Sequence, residues 1–287
     1  SALRYIGWPI VPGFDIAGTV EWAGADTQFK KGDEVYGFSL FGAYSTKVLV
    51  PAKQLLRRPA FLSSAASAGL PAVAGTALHS LSLAGLWPKG SPKPLNRSAL
   101  VHSAAGGVGS MLVQMLKLVG CDPVVGVVGA ADKVAKCSAH RVIAKASLPR
   151  PDDFWKEAEQ ISPTGFSAIF DANGVSTLQQ SYDHLSLCGR LIIYGFHSNL
   201  PLGAHRLNPL KWLGMGARMA LMPKFDPMAL VLESKAVLGF NLSFFASETE
   251  LIDAYMRQLA EWVETKQIEP PAVVEMRMEE IAAAHTL

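Results

Sequence analysis

The run Leu100-Val101-His102-Ser103-Ala104-Ala105-Gly106-Gly107-Val108-Gly109 constrains the fold of this chain more than any other segment. An apolar strand enters a turn of residues with little or no side chain, and a helix opens directly out of that turn. The helix shows its period at once: Val108, Met111, Leu112, Met115, Leu116 and Val119 recur at steps of three and four, giving one apolar face. The first amides of such a helix lack carbonyl partners and stand at the positive end of its dipole, which suits a pyrophosphate. A glycine cluster alone marks only a tight turn. Here a second strand, Pro123-Val124-Val125-Gly126-Val127-Val128, follows through Gly120-Cys121-Asp122. The three elements form a βαβ unit whose right-handed crossover puts both strands in one parallel sheet. The ligand it suits is a dinucleotide.

In the NAD form of this unit, an acidic residue about twenty positions past the glycines holds the adenosine ribose hydroxyls. The corresponding tip here, Gly129-Ala130-Ala131-Asp132-Lys133, carries no acid at the strand end. Absence of a carboxylate removes repulsion against a 2′-phosphate, and Lys133 adds attraction. NADPH is expected over NADH. A solvated lysine at a helix start is the other reading of Lys133.

With 49% hydrophobic and 17% charged residues over 287 positions, the chain has ample material for a large core in one or two domains. A net charge of +2 leaves no electrostatic footprint for nucleic acid. Cys121, Cys137 and Cys188 are scattered, with no CxxC pair, so neither a zinc knuckle nor a disulfide framework is indicated. Reduced, buried thiols in a cytoplasmic or organellar protein are expected. No run approaches the ~18 apolar residues of a transmembrane helix. Ser1-Ala2-Leu3-Arg4-Tyr5 has neither a signal-peptide core nor an initiator methionine, so the chain is expected to begin partway through a longer one.

Residues 1 to about 58 read as β-rich. Phe14, Ile16, Val20 and Trp22 favour one strand, Lys30–Val35 a hairpin turn entering another, and the alternating Ala43–Val50 a third that stops at Pro51. Ser63–Leu86 has helical spacing, and Pro88, Pro92 and Pro94 mark a linker. Strands and helices then alternate over 99–103, 108–119, 124–128, 132–139, 141–143, 152–161, 167–171, 176–187 and 190–195, which predicts a doubly wound sheet. Ligands in such sheets lie past the carboxyl ends of the strands, so Ala172-Asn173-Gly174 and Gly195-Phe196-His197 are cofactor-facing candidates. Trp212, Met215, Met219 and Met222 form a stripe that suits a core or pocket helix, with a membrane-surface helix as the alternative. An amphipathic helix is expected from Glu248 to Lys266. There is no G-x-S-x-G elbow or HExxH pair; His79, His140 and His184 are expected to be structural, and His102 a satisfied core histidine.

Several segments resemble the medium-chain dehydrogenase/reductases, in their zinc-independent quinone oxidoreductase-like branch. They are Pro12-Gly13-Phe14-Asp15-Ile16-Ala17-Gly18-Thr19-Val20, Phe29–Gly37, Gly42-Ala43-Tyr44-Ser45 and Leu70–Ala77, then Ala104–Gly109, Gly189–Gly195 and Val237–Leu242. The resemblance implies an α/β fold: a Rossmann doubly wound parallel sheet plus an incomplete GroES-like β-rich lobe. The implied division is a partial lobe at 1–74, an NADP-binding domain at 75–245 and a segment at 246–287 returning to the lobe. Ala105, Gly106, Gly107 and Val108 would cradle the pyrophosphate, and Gly129 and Lys133 would face the adenosine phosphate. Tyr194, Gly195, Phe196 and His197, with Phe240, Asn241 and Leu242, would border the nicotinamide. Tyr5 and Trp8 fall where family members place substrate-cleft aromatics, while Phe14-Asp15 replace the histidine-glutamate pair of zinc-dependent relatives, so no metal is expected.

The implied activity is NADPH-dependent hydride transfer to a small-molecule acceptor, either a quinone or an activated carbon–carbon double bond. The family extends beyond Ser1 and Leu287 at both ends, so either the sequence is a fragment or another chain completes it. A homodimer through the strand near Val237–Leu242 is expected on the same ground. The family also includes vesicle-membrane protein homologues. A non-catalytic nucleotide-binding or membrane-surface assembly protein that keeps the reductase fold is therefore the alternative.

Overall fold

Two units share the chain: Ser1–Thr76 with Leu242–Glu275, and Ala77–Asn241 with Met276–Leu287. The computed structural model describes residues 9–87, 97–196, 214, 216, 220–242 and 248–285. Tyr5, Trp8, His197, the proline linker at 88–96 and the stripe residues Trp212, Met215 and Met219 lie outside the described residues.

The first unit is built on a three-stranded antiparallel sheet of β1 (Asp15–Thr19), β2 (Glu34–Phe38) and β3 (Leu55–Arg57). Register runs from Asp15 opposite Phe38 to Thr19 opposite Glu34. The expected turn before β2 is closed by Asp33, whose carboxylate accepts the Lys30 amide at 2.9 Å while its own amide donates to Lys30 O at 3.1 Å. The helices α1 (Ser64–Ala68) and α2 (Pro71–Leu83) follow. Ser63 caps α1, its hydroxyl accepting the Ala66 amide.

The alternating stretch Ala43–Val50 is not a strand, which corrects the sequence expectation. No described strand offers it a ladder, and alternation without a partner has nothing to hold it extended. It instead lines a cavity of about 980 Å³ together with β1, Trp22 and Phe29.

Asp15 ties β1 to α2, its carboxyl accepting the Ala72 amide at 2.6 Å within the helix's first turn. Burial pushes this carboxyl up to about 6, against the partial relief from the Ala72 bond. The fold therefore favours its protonated form. That contribution is complete below the ordinary aspartate range and is lost as pH rises to about 6. Asp15→Asn should raise stability at pH 7 by about 1–2 kcal/mol, after discounting for the group's partial exposure, and the gain should vanish at pH 4. Urea unfolding at the two pH values measures it; an equal gain at both would refute the assignment.

In the second unit, six strands of near-continuous apolar sequence make one parallel sheet. They are β4 (Ala99–His102), β5 (Val124–Val128), β6 (Arg141–Ala144), β7 (Phe166–Asp171), β8 (Leu185–Ile193) and β9 (Ala236–Gly239). Their order is β6-β5-β4-β7-β8-β9. Numbered from β4 this is 3-2-1-4-5-6, the doubly wound dinucleotide-binding order, with its reversal between β4 and β7. Helices α3 (Gly107–Leu118), α4 (Phe154–Ile161) and α5 (Leu178–Asp183) connect these strands. Every residue of β5 and β7 is buried, as strands covered on both faces require. Leu100, Val125, Val127 and Ile169 pack with Phe154, Trp155 and Tyr182 in one core. At roughly 1.5–3 kcal/mol for each fully buried large apolar side chain, this cluster is the main stabilising element of the unit.

Two expected helices differ. The segment predicted as helix over 132–139 is a 3-10 helix at Ala131–Lys136. Its end is drawn onto β5, where Cys137 Sγ and Ala139 Cβ close over Gly126. The helix expected over 176–187 stops at Asp183, because Leu185 and Ser186 already belong to β8, with Leu185 opposite Phe166. An irregularity follows in which Cys188 takes a left-handed φ of 60°. That turn leaves the Cys188 thiol exposed; Cys137 is half-buried, so of the three cysteines only Cys121 is buried as expected.

The chain then forms α6 (Pro227–Glu233), capped by the Asp226 carboxylate at the Met228 amide, and the edge strand β9. The helix α7 (Thr249–Glu264) returns to the first unit and buries Ile252, Tyr255, Met256, Leu259, Trp262 and Val263. Among the described residues no helix is long and apolar enough to cross a membrane.

Candidate functional site

β4 ends at His102, and Ser103 then adopts a left-handed φ of 54°. That turn lets the Ser103 carbonyl accept the Gly106 amide at 2.9 Å. The ladder of α3 begins with the Ser110 amide on Gly106 O at 2.8 Å. Between these two bonds lie the amides of Gly107, Val108 and Gly109, the first orphan donors of the helix. Gly106 caps α3 without a side chain, and the first turn holds no acidic residue. The positive end of a twelve-residue helix thus stands without a built-in anion.

Of the four residues expected to cradle a pyrophosphate, Gly106 commits its amide to the turn itself. Gly106 and Gly107 are exposed, so a ligand can reach the backbone there. Sequence reasoning missed Gly109. A Cβ at Gly109 would fall inside the contact radius of the Ser103 carbonyl oxygen and 2.8 Å from Ala104 Cα. Only glycine lets α3 sit this close beneath the turn. The third glycine of the motif was the available signal.

The tips of β7 and β8 meet closely. Asp171 is fully buried, and its Oδ1 accepts the amides of Asn173 at 2.7 Å and Gly174 at 3.1 Å. Gly174 has φ +91°, and a Cβ there would come within 3.1 Å of the Phe196 backbone. The Tyr194 amide donates to Asp171 O at 3.0 Å, and the Phe240 amide to Ile193 O at 3.2 Å. Tyr194, Gly195, Phe196, Phe240 and Asn241 therefore gather at the carboxyl ends of β8 and β9, whereas Leu242 belongs to the first unit, where it lies 3.5 Å from a Cβ built on Gly75. Burial and the nearby Asp171 raise the Tyr194 phenol above its ordinary range. His79 packs edge-on to Phe240 with ring centroids 4.5 Å apart, and burial holds its imidazole below the usual histidine value.

Gly129 follows β5 with open space around its Cα, and Lys133 is exposed in the next turn. Two further histidines pack within the fold: His140 Nδ1 accepts the Val124 amide at 3.0 Å, and His184 stacks on Trp155 at 4.1 Å. His102 is buried as expected, yet only half satisfied. Its Nε2 meets Ser181 Oγ at 3.0 Å, while Nδ1 has no partner among the described residues. In the first unit, Phe14 packs on Phe41 at 4.7 Å and Asp15 is engaged by Ala72. Among the described residues no three His, Cys, Asp or Glu side chains gather as a metal site.

The zinc-binding dehydrogenase family model matches residues 107–257, and the alcohol dehydrogenase GroES-like domain model matches residues 2–60. The chain is 28% identical over 282 residues to the synaptic vesicle membrane protein VAT-1 homolog of Danio rerio, covering 96% of this chain and 54% of that protein. It is 32% identical over 251 residues to a 2-methylene-furan-3-one reductase of Solanum lycopersicum, covering 81% and 60%. Its fold matches a mycobacterial protein complexed with NADPH at a TM-score of 0.76 and 24% identity, covering 99% of this chain and 80% of that one. The chain thus spans between about half and two thirds of the length of these curated relatives.

Proposed function

Because the chain belongs to the medium-chain dehydrogenase/reductases, in their quinone oxidoreductase-like branch, we propose that it is an oxidoreductase that binds NADPH and reduces an electron-poor carbon. The carrying observation is the seat after β4: three orphan amides at a helix start with no side-chain cap and no acidic residue, brought against the turn by a glycine that admits no side chain. Backbone donors in that arrangement suit a diphosphate. The amides of Gly107, Val108 and Gly109 would hold it, and Lys133 would meet the 2′-phosphate. Tyr194, Gly195, Phe196, Phe240 and Asn241 would border the nicotinamide. Bound NADPH supplies the hydride.

The chain's own residues have a modest task in this chemistry. Negative charge arising on a quinone or enone oxygen is delocalised, so neutral donors suffice. Orientation and exclusion of water carry most of the barrier reduction. Metal is not required, and Phe14 and Asp15 are engaged elsewhere. Since the tomato relative is named for reducing a carbon–carbon double bond conjugated to a carbonyl, such a compound is one of the acceptors to try first.

Titration by nicotinamide fluorescence, followed by NADPH oxidation with a quinone and with an enone, tests the proposal. Binding with turnover supports it. Binding without turnover favours an assembly role, for which the zebrafish relative's name and the exposed Met228, Val231 and Leu232 of α6 speak. Lys133→Ala should weaken NADPH about tenfold and NADH by less than twofold, the loss of one exposed charge against a phosphate dianion. Equal losses for both nucleotides would remove Lys133 from the site.

A further inference from the structure

The carboxyl ends of β4 and β7 are joined by two layers of side chains, and the sheet order reverses between these strands. In the buried layer, Ser181 Oγ donates to Asp171 Oδ2 at 3.0 Å, so toward His102 Nε2 at 3.0 Å it can only accept. Nε2 therefore carries the imidazole proton. The other Asp171 oxygen holds the amides of Asn173 and Gly174, which fixes the backbone of the β7 tip. In the outer layer, Ser103 donates its hydroxyl to Asn173 Oδ1 at 2.9 Å. Ser103 does this from a left-handed φ of 54°, a conformation costing a non-glycine residue roughly 1–2 kcal/mol. Such strain persists where surrounding structure over-determines it, commonly at a ligand site.

Ligands of doubly wound sheets lie in the crevice at the strand reversal. Asn173 is the half-buried polar side chain bonded across it. With Oδ1 held by Ser103, the orientation of the Asn173 amide group is set, and Nδ2 lies on the side of the group away from that bond.

We propose that Asn173, oriented by Ser103, is a cofactor-positioning residue whose amide nitrogen donates to an oxygen of the diphosphate–ribose centre of the dinucleotide. This rests on the NADPH reading above. It makes Ser103 and Asn173 a coupled pair: losing the serine hydroxyl frees the amide to rotate, and losing the amide makes the serine irrelevant.

The test is NADPH affinity by nicotinamide fluorescence at fixed ionic strength, beside the thermal midpoint of each nucleotide-free protein. Asn173→Leu is expected to raise Kd about tenfold, and Asn173→Asp about a hundredfold, because it replaces a donor by a charge that repels the diphosphate. Ser103→Ala should raise Kd about threefold, and the double variant S103A/N173L should bind within twofold of Asn173→Leu alone. Midpoints should stay within a few degrees of the parent. The inference is overturned by Asn173 variants that bind like the parent, by additive losses in the double variant, or by losses that track the midpoints. A parent that binds no NADPH removes the functional reading and this inference with it.

Discussion

Valine at Gly109 is expected to cost most of the second unit's stability, whereas valine at Gly107 should leave the fold intact and remove the dinucleotide. The difference lies in what each Cβ meets. At Gly109 it meets the Ser103 carbonyl oxygen and the Ala104 backbone, neither of which can yield without opening the turn. Overpacking against backbone of this kind costs about 3–5 kcal/mol, a large part of the ~5–15 kcal/mol that holds a domain together. Gly107 is exposed in the first turn of α3, so on the proposed reading a side chain there would enter the space of the diphosphate. Gly107→Val should change stability by less than about 1 kcal/mol yet weaken NADPH at least a hundredfold. Urea unfolding and fluorescence titration separate the two effects. A Gly107→Val protein with parental affinity would show that the seat is elsewhere.

Asp171→Ala is the second large effect, expected to destabilise by about 3–5 kcal/mol. Asp171 is fully buried, and removing its oxygens strands the amides of Asn173 and Gly174 and the Ser181 hydroxyl. Asp171→Asn should recover most of that loss. Its Oδ1 can keep both amides, its Nδ2 can donate to Ser181, and Ser181 can then donate to His102. Acid sensitivity adds a second readout. Burial holds the His102 imidazole below its ordinary value, outweighing the pull of Asp171. The unfolded chain therefore takes up the proton first. This contribution is intact above about pH 6.5 and is lost as pH falls below it. His102→Gln should flatten the acid limb of the stability profile, measured by unfolding between pH 4 and 7. An unchanged limb would assign the loss to other groups.

Much of this was legible in the residues themselves. β5 and β7 are apolar throughout and are buried throughout, and the period of α3 matches its buried face of Met111, Leu112, Met115 and Leu116. The glycine turn lies where its spacing predicted. Ala43–Val50 was misread because alternation reports a face, and a face becomes a strand only when a neighbour supplies hydrogen bonds. The boundary at Asp183 was misread because Leu185 is drawn into β8 by Phe166, nineteen positions earlier in the chain.

The linear sequence by itself determined the βαβ unit, the covered parallel strands and the residue types around the turn, since each depends on patterns within a few positions. Only the tertiary structure decided that Gly106 closes the turn while Gly109 permits its depth, and that His102, Ser181 and Asp171 form one buried network. It also joined Ser103 to Asn173, which stand seventy positions apart. Such pairings depend on which strand lies beside which, and strand order is a property of the packed sheet that no local periodicity encodes.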